Sequence, residues 1–408
     1  MGALVFVDQS IARRPGRSSR RAAGVIALSL ALAAAGCSGS SSGSDDNTVK
    51  VGLLASLSGT YEAVGTDQRR GFELYLDTHK GELGGHKVKL SVGDEGDGPP
   101  TAVPAATKLV KKDRVDVLTG IVANGSYKAV LPLVEQQKIP LVSSNGRPPV
   151  EDVSRVWHTS FLSDEPGKAI AKHLKDKVDG PVYAIGPDYQ GGYDQVGGFT
   201  DAFKAAGGKL ANPGGKTTWT PFPKTTNFTP YLNKIARSDA KAVYCFYAGK
   251  AALDFVKQYA QSDAADLPLY SAGFLTEGSL LTAQGDAAKG IYSALNYAED
   301  LDNDANRKFV ADWTAKYDTP PTEYAMASYD AAAVLDQAIA DADKAGDVTP
   351  EAINKAIGKL GQIDSPRGSW EFGKKSHSPV QKWYLRQVRR DGKQLSNVMM
   401  QDLTTLGS

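Results

Sequence analysis

The 408-residue sequence has little of what a metalloprotein or a disulfide-stabilised protein needs. Its two cysteines play different parts: Cys245 lies in the apolar run AVYCFYAG and is interpreted as a small buried hydrophobic residue, whereas Cys37 follows a leader. An intramolecular disulfide is therefore not expected. The five histidines show no metal-site spacing; they are His79, His86, His158, His173 and His377. We expect neither a metal nor a cofactor.

Charge of either sign is not in excess, and common catalytic motifs are absent. The formal net charge is +1, and because residues 1–36 hold five arginines and one aspartate, the remainder carries −3. Nucleic-acid binding usually needs a basic patch, so this balance argues against it. The sequence has no Gly-x-Ser-x-Gly elbow and no Walker phosphate loop. The acidic group Asp94, Glu95 and Asp97 adjoins GDGPP and is interpreted as capping a turn and the next helix. We expect no enzyme.

Long apolar runs are missing after Cys37, so no later segment is expected to span a bilayer. Before it, five arginines precede the run AAGVIALSLALAAAG. A basic segment, a short apolar segment and small residues before the cleavage point are typical of a secretory signal peptide. The run has about 15 apolar residues, too few for a comfortable membrane-spanning helix. We predict a signal peptide over residues 1–36, exported by the general secretory route.

The end of this leader, Ala34-Ala35-Gly36-Cys37, resembles a bacterial lipobox. The resemblance implies that Cys37 becomes the lipidated first residue of the mature chain, and two acyl chains suffice for stable anchoring. The Ser/Gly/Asp-rich sequence that follows has nothing to bury, so we predict a flexible tether over 37–47. The protein is expected at the outer face of the cell membrane.

From Thr48 onward, short β-rich runs alternate with amphipathic helical stretches. Runs such as VKVGLLAS and VDVLTG lack strict alternation, as expected when both faces of a sheet are covered. Alternation of strands and helices predicts an α/β fold with two doubly wound parallel-sheet lobes. We assign 48–163 to the N-terminal lobe, 164–297 to the C-terminal lobe, 298–369 to a return to the N-terminal lobe, and 370–408 to a C-terminal-lobe hairpin and tail.

The order of motifs from about Val49 to Asp391 resembles the branched-chain amino-acid (Leu/Ile/Val) type of ABC-transporter substrate-binding protein. The matching segments are VGLLASLSGTYEAVG, RRGFELYLD, KVKLSVGDEGD, VDVLTGIVANGS, IPLVSSNG, FLSDEPG, GPDYQGGYDQVGGF and YDTPPTEYAMASYDAAAVLDQAI. No single motif is specific, but their order over nearly the whole mature chain is. The resemblance implies a type I periplasmic binding protein fold, in which two lobes joined by three hinge strands close on one ligand.

The same resemblance implies a set of ligand contacts at the cleft. Asn124, Asn145 and Arg147 stand where that family grips the ligand's carboxylate. The complete set is Tyr61, Asn124, Asn145, Arg147, Phe161, Tyr189, Tyr247 and Phe274. Each also has a plainer interpretation: the aromatic residues could be core, Arg147 a solvated loop residue, and the two asparagines turn residues before glycine.

The sequence departs from the amino-acid binders of this family at the ligand's ammonium group. The acidic residue expected to hold it would align near Gly273 or Phe274, and Glu277 is offset from that position. An aromatic-rich pocket with one arginine suits an aromatic or other hydrophobic carboxylate. A branched-chain or aromatic amino acid is the alternative ligand.

The resemblance implies an exported solute-binding lipoprotein of an ABC importer. Its partners would be a small-molecule ligand, a membrane permease with its ATPase, and the membrane through the lipid anchor. The family favours a monomer. The alternative is the ligand-binding subunit of a membrane sensor, because the same fold serves in receptors.

Overall fold

Two β-sheets, one in each lobe, form the framework of the protein. The computed structural model describes residues 47–392 and 394–408. The predicted signal peptide, Cys37 and the tether up to residue 46 lie outside these residues. Within the described part of the chain, no helix is long and apolar enough to cross a membrane.

The first sheet has six strands: β1 (Thr48–Ala55), β2 (Glu82–Leu83), β3 (His86–Asp94), β4 (Val117–Gly120), β5 (Leu141–Ser143) and β6 (Val156–His158). Their order is β2–β3–β1–β4–β5–β6. All neighbours are parallel except β2 and β3. Since β1 lies between β3 and β4, the strand order reverses beside it, and such a reversal leaves a crevice at the carboxyl ends of the strands.

The second sheet contains β7 (Val182–Asp188), β8 (Thr218–Pro221), β9 (Ala242–Cys245), β10 (Leu269–Ala272), β11 (Tyr292–Leu295), β12 (Glu371–Phe372), β13 (Pro379–Asp391) and β14 (Gln394–Leu406). Its order is β12–β13–β11–β10–β9–β7–β8, and β14 pairs with β13. Strands β7 to β11 are parallel, whereas β12 to β14 pair antiparallel. The order reverses at β7, which lies between β8 and β9, so this sheet has a crevice of the same kind.

The α-helices of the described residues are α1 (Glu62–Thr78), α2 (Pro99–Thr107), α3 (Asn124–Gln137), α4 (Glu165–Lys177), α5 (Gln190–Ala205), α6 (Thr229–Ala236), α7 (Gly249–Tyr259), α8 (Ser279–Gln284), α9 (Asp304–Tyr317), α10 (Glu323–Lys344) and α11 (Pro350–Ile357). They cover both faces of each sheet. In β4, for example, Val117 packs with α10 and α11, and the next residue, Leu118, packs with α2 and α3. Burial on both faces explains the continuous apolar runs, and the predicted parallel α/β fold is confirmed.

The chain passes between the lobes three times, and a buried polar network joins the three passages. They lie after β6, after β11, and between α11 and β13. Arg367, in the third passage, donates to the backbone oxygen of Thr159 in the first and, at 2.6 Å, to Oε1 of Gln381. Gln381 also accepts from Asn296 of the second passage at 2.9 Å. Asp330 of α10 pairs with the Arg367 guanidinium, so this buried cation has a buried counter-ion.

Helix α1 approaches α10 so closely that a side chain has no room at Gly71. A Cβ there would lie 2.1 Å from the backbone oxygen of Ala325, whereas a Cβ on Gly197 of α5 would meet nothing within 4 Å. We expect Gly71→Ala to lower the free energy of unfolding by roughly 3 kcal/mol, because the two helices must move apart. Gly197→Ala should raise it by about 0.5–1 kcal/mol, since alanine favours helix. Urea unfolding of both variants tests this; equal effects would contradict the close packing.

Candidate ligand-binding cavity

A small cavity of about 40 Å³ lies where the reversal points of the two sheets face each other. Its wall is built from the loops and helix starts that follow β1, β4, β5, β6, β7, β9 and β10, together with the start of α10. The aromatic residues of the wall are Tyr61, Tyr189, Phe246, Phe274 and Tyr324. Its polar side chains are those of Asn124, Asn145, Ser163 and Gln195, besides the tyrosine hydroxyls. No residue of the described wall carries a formal charge.

Two carboxylates, Asp94 at the end of β3 and Asp97 just after it, hold the loop that follows β1. Asp94 Oδ1 accepts from the backbone N–H of Leu57 at 2.8 Å, and its Oδ2 accepts from the hydroxyl of Ser58 at 2.6 Å. Asp97 Oδ1 accepts from the backbone N–H of Thr60 at 2.6 Å. These bonds fix the residues immediately before Tyr61, so its ring projects from a braced loop.

Glu95, between those two carboxylates, holds the loop after β4. Its two carboxylate oxygens accept from the backbone N–H groups of Val122 and Ala123, at 2.7 and 2.8 Å. The side chain is fully buried. Burial raises the pKa of the Glu95 carboxyl to about 7, although the two N–H donors act in the opposite direction. The acidic group thus positions cavity loops, and α2, which follows it, has no side-chain cap.

The lobes touch across the cavity. The hydroxyl of Tyr61 in the first lobe donates to that of Tyr189 in the second, at 3.0 Å. Asn124 Nδ2, at the start of α3, donates to Asp194 Oδ2 of α5, also at 3.0 Å. Both contacts join residues of different lobes, so the described conformation is a closed one. Burial raises the pKa of Tyr61 to about 12.

Five helices begin at the cavity: α1, α3, α5, α7 and α10. Of these, α10 is capped by Thr322, whereas α1, α3, α5 and α7 have no side-chain N-cap. The first N–H groups of an uncapped helix lack internal acceptors, and the helix dipole places partial positive charge there. The neutral wall can therefore hold an anion without any cationic side chain.

Of the eight residues predicted from sequence, five line this cavity and three lie elsewhere. Those in the wall are Tyr61, Asn124, Asn145, Tyr189 and Phe274. Phe161 is buried beneath the wall, with its ring against Gly146 and its centroid 5.6 Å from that of Phe274. Tyr247 faces the opposite side of the second sheet, where it packs on Phe228 and Phe255. Successive side chains of an extended segment point to opposite faces of the sheet, so Tyr247 points away from the cavity and the preceding residue, Phe246, lines it.

Arg147 is placed as a brace of the passages between lobes. It is 1% exposed. Its guanidinium donates to the backbone oxygen of Ser376 and, at 3.1 Å, to the hydroxyl of Ser378, and both serines lie just before β13. Its own backbone N–H and C=O pair with Phe161 and Ser163 of the first passage. Burial lowers the pKa of Arg147 from its usual value. The residue acts on the cavity through Ser163 rather than by lining it.

Glu277 is fully engaged by the protein itself. One carboxylate oxygen pairs with Arg386 of β13 at 2.9 Å, and the other accepts from the backbone N–H of Glu323, the first residue of α10, at 2.9 Å. It does not line the cavity. Glu277, which the sequence shows to be offset from the ammonium-binding position, instead caps the start of α10 and pairs with Arg386.

Tyr324 and Gln195 are among the wall residues that sequence reasoning missed, as are Phe246 and Ser163. Tyr324 is the second residue of α10, whose N-cap is Thr322, and it lies more than two hundred residues along the chain from the loop that holds Tyr61. The motif TEYAMAS was recognised as part of the family pattern, but only the fold shows that α10 returns its first turn to the cavity. Gln195 lies one turn inside α5, and the position of that helix is set by its packing on α4.

A larger cavity, about 560 Å³, is lined by residues of α8, β13 and the α9–α10 connection. Its charged side chains are largely paired already, Glu277 with Arg386 and Asp286 with Arg390. It does not lie at the reversal points, so the smaller cavity is the better candidate. Among the described residues, no group of three or more His, Cys, Asp or Glu side chains could hold a metal ion.

The raised pKa of Glu95 generates a pH-dependent prediction. Because its carboxyl binds a proton more tightly in the folded protein than in the unfolded chain, the stability it contributes is present at low pH and lost as pH rises towards 7. We expect the free energy of unfolding of the wild type, relative to Glu95→Gln, to fall by roughly 2–3 kcal/mol between pH 5 and pH 8. Denaturant unfolding at both pH values measures it. Exposed Glu135→Gln is the control, and parallel curves for wild type and Glu95→Gln would refute the assignment.

Comparison with known proteins identifies the family. A model of the periplasmic binding protein family matches residues 48–393. The Leu/Ile/Val-binding protein homolog 6 of Brucella melitensis is 29% identical over 354 residues, covering 84% of this chain and 88% of the relative.

Solved structures agree. A solute-binding protein of an ABC transporter from R. palustris, in complex with benzoate, has 31% identity and a TM-score of 0.79, over 88% of this chain and 98% of that chain. Another from Rhodopseudomonas palustris, in complex with p-hydroxybenzoic acid, has 28% identity and a TM-score of 0.78, over 87% and 96%. These homologues are substrate-binding proteins, not enzymes, and the family is extracytoplasmic. The resemblance read from the sequence is confirmed: the chain belongs to the periplasmic binding protein family, with the type I fold of ABC-transporter substrate-binding proteins.

Proposed function

We propose that this protein captures a small aromatic carboxylate, or another hydrophobic carboxylate, and delivers it to an ABC importer. The observation that carries the proposal is the composition of the cavity wall, which is aromatic and uncharged. Small-molecule sites are mostly apolar with a few placed polar groups, and this wall fits that description.

The carboxylate would lie at the start of α3, between the lobes. The N–H groups of Val122 and Ala123 are occupied by Glu95, whereas the first turn of α3, which begins at Asn124, has no side-chain cap. A ligand carboxylate there would accept hydrogen bonds from the N–H groups that the helix leaves unpaired. The hydroxyl of Ser163, 3.0 Å from Asn124 Nδ2, lies beside this place.

The aromatic ring would lie among Tyr61, Tyr189 and Phe274, with Tyr324 closing the wall. The ring of Tyr189 is itself stacked on that of Phe222, with ring centroids 4.3 Å apart. The ring centroids of Phe274 and Tyr324 are 5.1 Å apart. A flat ligand can continue such a set of stacked and tilted rings. Asn145 completes the contacts that we propose from the first lobe.

An amino acid is the less suitable ligand, because the wall offers its ammonium group no carboxylate. Glu277 is used by Arg386 and α10. Burying an ammonium ion without a counter-charge is expensive, so a ligand lacking that group fits better. Similar proteins with benzoate and p-hydroxybenzoic acid bound support this choice, although the curated relative carries a Leu/Ile/Val-binding name.

Capture would proceed by hinge closure. The Tyr61–Tyr189 and Asn124–Asp194 contacts can form only when the lobes are together, so they add to the stability of the closed state. A ligand that touches both lobes favours this state by its differential affinity. The passages between lobes, joined at Arg367 and Gln381, would absorb the motion. The closed lobes would then dock on a permease, whose ATPase supplies the energy.

We further propose that the protein is a monomer held at the outer face of the membrane by a lipid on Cys37. The support is the lipobox-like sequence before Cys37 and the Ser/Gly-rich stretch after it. The body would comprise an N-terminal lobe, 48–163 and 298–369, and a C-terminal lobe, 164–297 and 370–408. The first sheet and the helices packed on it support this division.

A thermal-unfolding panel tests the ligand class. We expect benzoate and hydroxybenzoates to stabilise the purified protein, by about 2.7 kcal/mol at a hundred times the dissociation constant. Leucine, isoleucine, valine and phenylalanine, which carry an ammonium group that the wall cannot pair, should give no comparable shift, and neither should cyclohexanol, which lacks the carboxylate. Phe274→Ala should remove most of the shift, while exposed Tyr193→Ala should keep it. Stabilisation by the branched-chain amino acids instead would contradict the proposed class.

A further inference from the structure

Two amide oxygens in the cavity wall have no hydrogen-bond partner. They are Oδ1 of Asn145 and Oε1 of Gln195, both buried. Asn145 is 6% exposed and Gln195 2% exposed, and each lines the cavity. Of the buried side-chain atoms without a partner in the described residues, only these two belong to wall residues. Both are acceptors.

The orientation of the Asn145 amide is fixed by its other end. Its Nδ2 donates to the backbone oxygen of Val122 at 2.9 Å. That carbonyl can only accept, so the nitrogen of the amide must face it and Oδ1 must face away. The loop after β4, which Glu95 holds in place, therefore fixes the orientation of the Asn145 amide and leaves Oδ1 as an unpaired acceptor.

The two acceptors come from different lobes. Asn145 follows β5 of the first sheet, and Gln195 lies in α5 of the second lobe. Both are buried and line the same small cavity. A buried acceptor without a donor costs free energy, which a bound molecule can recover if it brings a proton to that place.

A plain aromatic carboxylate cannot do this, because an ionised carboxylate only accepts and a benzene ring carries no polar hydrogen. A ring hydroxyl can. Resting on the function proposed above, we infer that the physiological ligand is a hydroxylated aromatic carboxylate, whose ring hydroxyl donates to Asn145 or Gln195. These two residues would set specificity, whereas the start of α3 would bind the carboxylate common to all such ligands.

The protein should prefer a hydroxylated ligand, because a ligand without the hydroxyl leaves a buried acceptor unpaired, which costs free energy. A site with a buried group made to pair with a ligand hydroxyl rejects analogues that lack the hydroxyl. We expect at least one hydroxybenzoate isomer to bind tenfold or more tightly than the fluorobenzoate substituted at the same position. Fluorine is similar in size to a hydroxyl but cannot donate a hydrogen bond.

Isothermal titration of the purified protein with 2-, 3- and 4-hydroxybenzoate and the three matching fluorobenzoates measures these ratios. The variants Asn145→Leu and Gln195→Met keep side-chain volume and remove the acceptor. At least one should reduce the hydroxy-to-fluoro ratio to about one while still binding the fluoro compound. Gln137→Met, exposed at the far end of α3, is the control and should keep the wild-type ratio. Thermal unfolding without ligand shows whether each variant is folded.

Equal affinity for each hydroxy and fluoro pair in the wild type would overturn this inference and leave the proposed function standing. A tenfold preference that survives in both folded variants would also overturn it, because the hydroxyl would then be recognised by other groups. If no aromatic carboxylate binds to the wild type, the aromatic ligand class of the proposed function fails and the inference fails with it.

Discussion

The three passages between the lobes determine how the rest of the molecule works, because they decide that the carboxyl ends of the two sheets face each other. Each sheet alone would have a crevice at its reversal point. The network around Arg367 and Gln381 brings the passages together in a buried place, where Asp330 balances the charge of the arginine. Arg147 adds a second brace between the first passage and the start of β13. With the two crevices opposed in this way, one cavity is made from two lobes.

The acidic group at the end of β3, formed by Asp94, Glu95 and Asp97, has a supporting role in the same structure. Asp94 and Asp97 brace the loop before Tyr61, and Glu95 braces the loop before Asn124. Three neighbouring carboxylates thus fix two separate parts of the wall on the first lobe. Glu95 also occupies the N–H groups just before α3, so the vacant donors available to an anion are those of the helix itself. The Glu95 carboxylate and the ligand carboxylate would then bind neighbouring backbone N–H groups: Glu95 those of Val122 and Ala123, and the ligand those in the first turn of α3.

Much of this architecture could be predicted from sequence. The strands are continuous apolar runs and the helices have clear apolar faces, so the parallel α/β fold and most helices follow from local pattern. Strand β8 does not follow from local pattern, since it is short and only one of its residues is buried. Five of the residues predicted from family position lie together in one cavity wall, because loops at strand ends follow the topology directly.

The remaining residues depended on three-dimensional packing that local pattern does not record. In the sequence, Arg147 is predicted to be a cation that contacts the ligand, but its hydrogen-bond partners, Ser376 and Ser378, lie more than two hundred residues away in the chain. Tyr247 and Phe246 are adjacent in the chain, and only the pairing of β9 in the sheet decides which of them faces the cavity. Glu277 could be recognised as offset, yet its pairing with Arg386 needed the position of β13. In each case a long-range contact decides the role of the side chain.

The central claim is that one cavity, built at the reversal points of both sheets, holds a carboxylate by the start of α3. A crystal structure of the protein with benzoate tests it most directly. The account predicts the ring among Tyr61, Tyr189 and Phe274, and carboxylate oxygens within hydrogen-bonding distance of backbone N–H groups in the first turn of α3. A benzoate bound in the cavity lined by Arg386 and Arg390, or with its carboxylate paired to any arginine or lysine side chain, would contradict it.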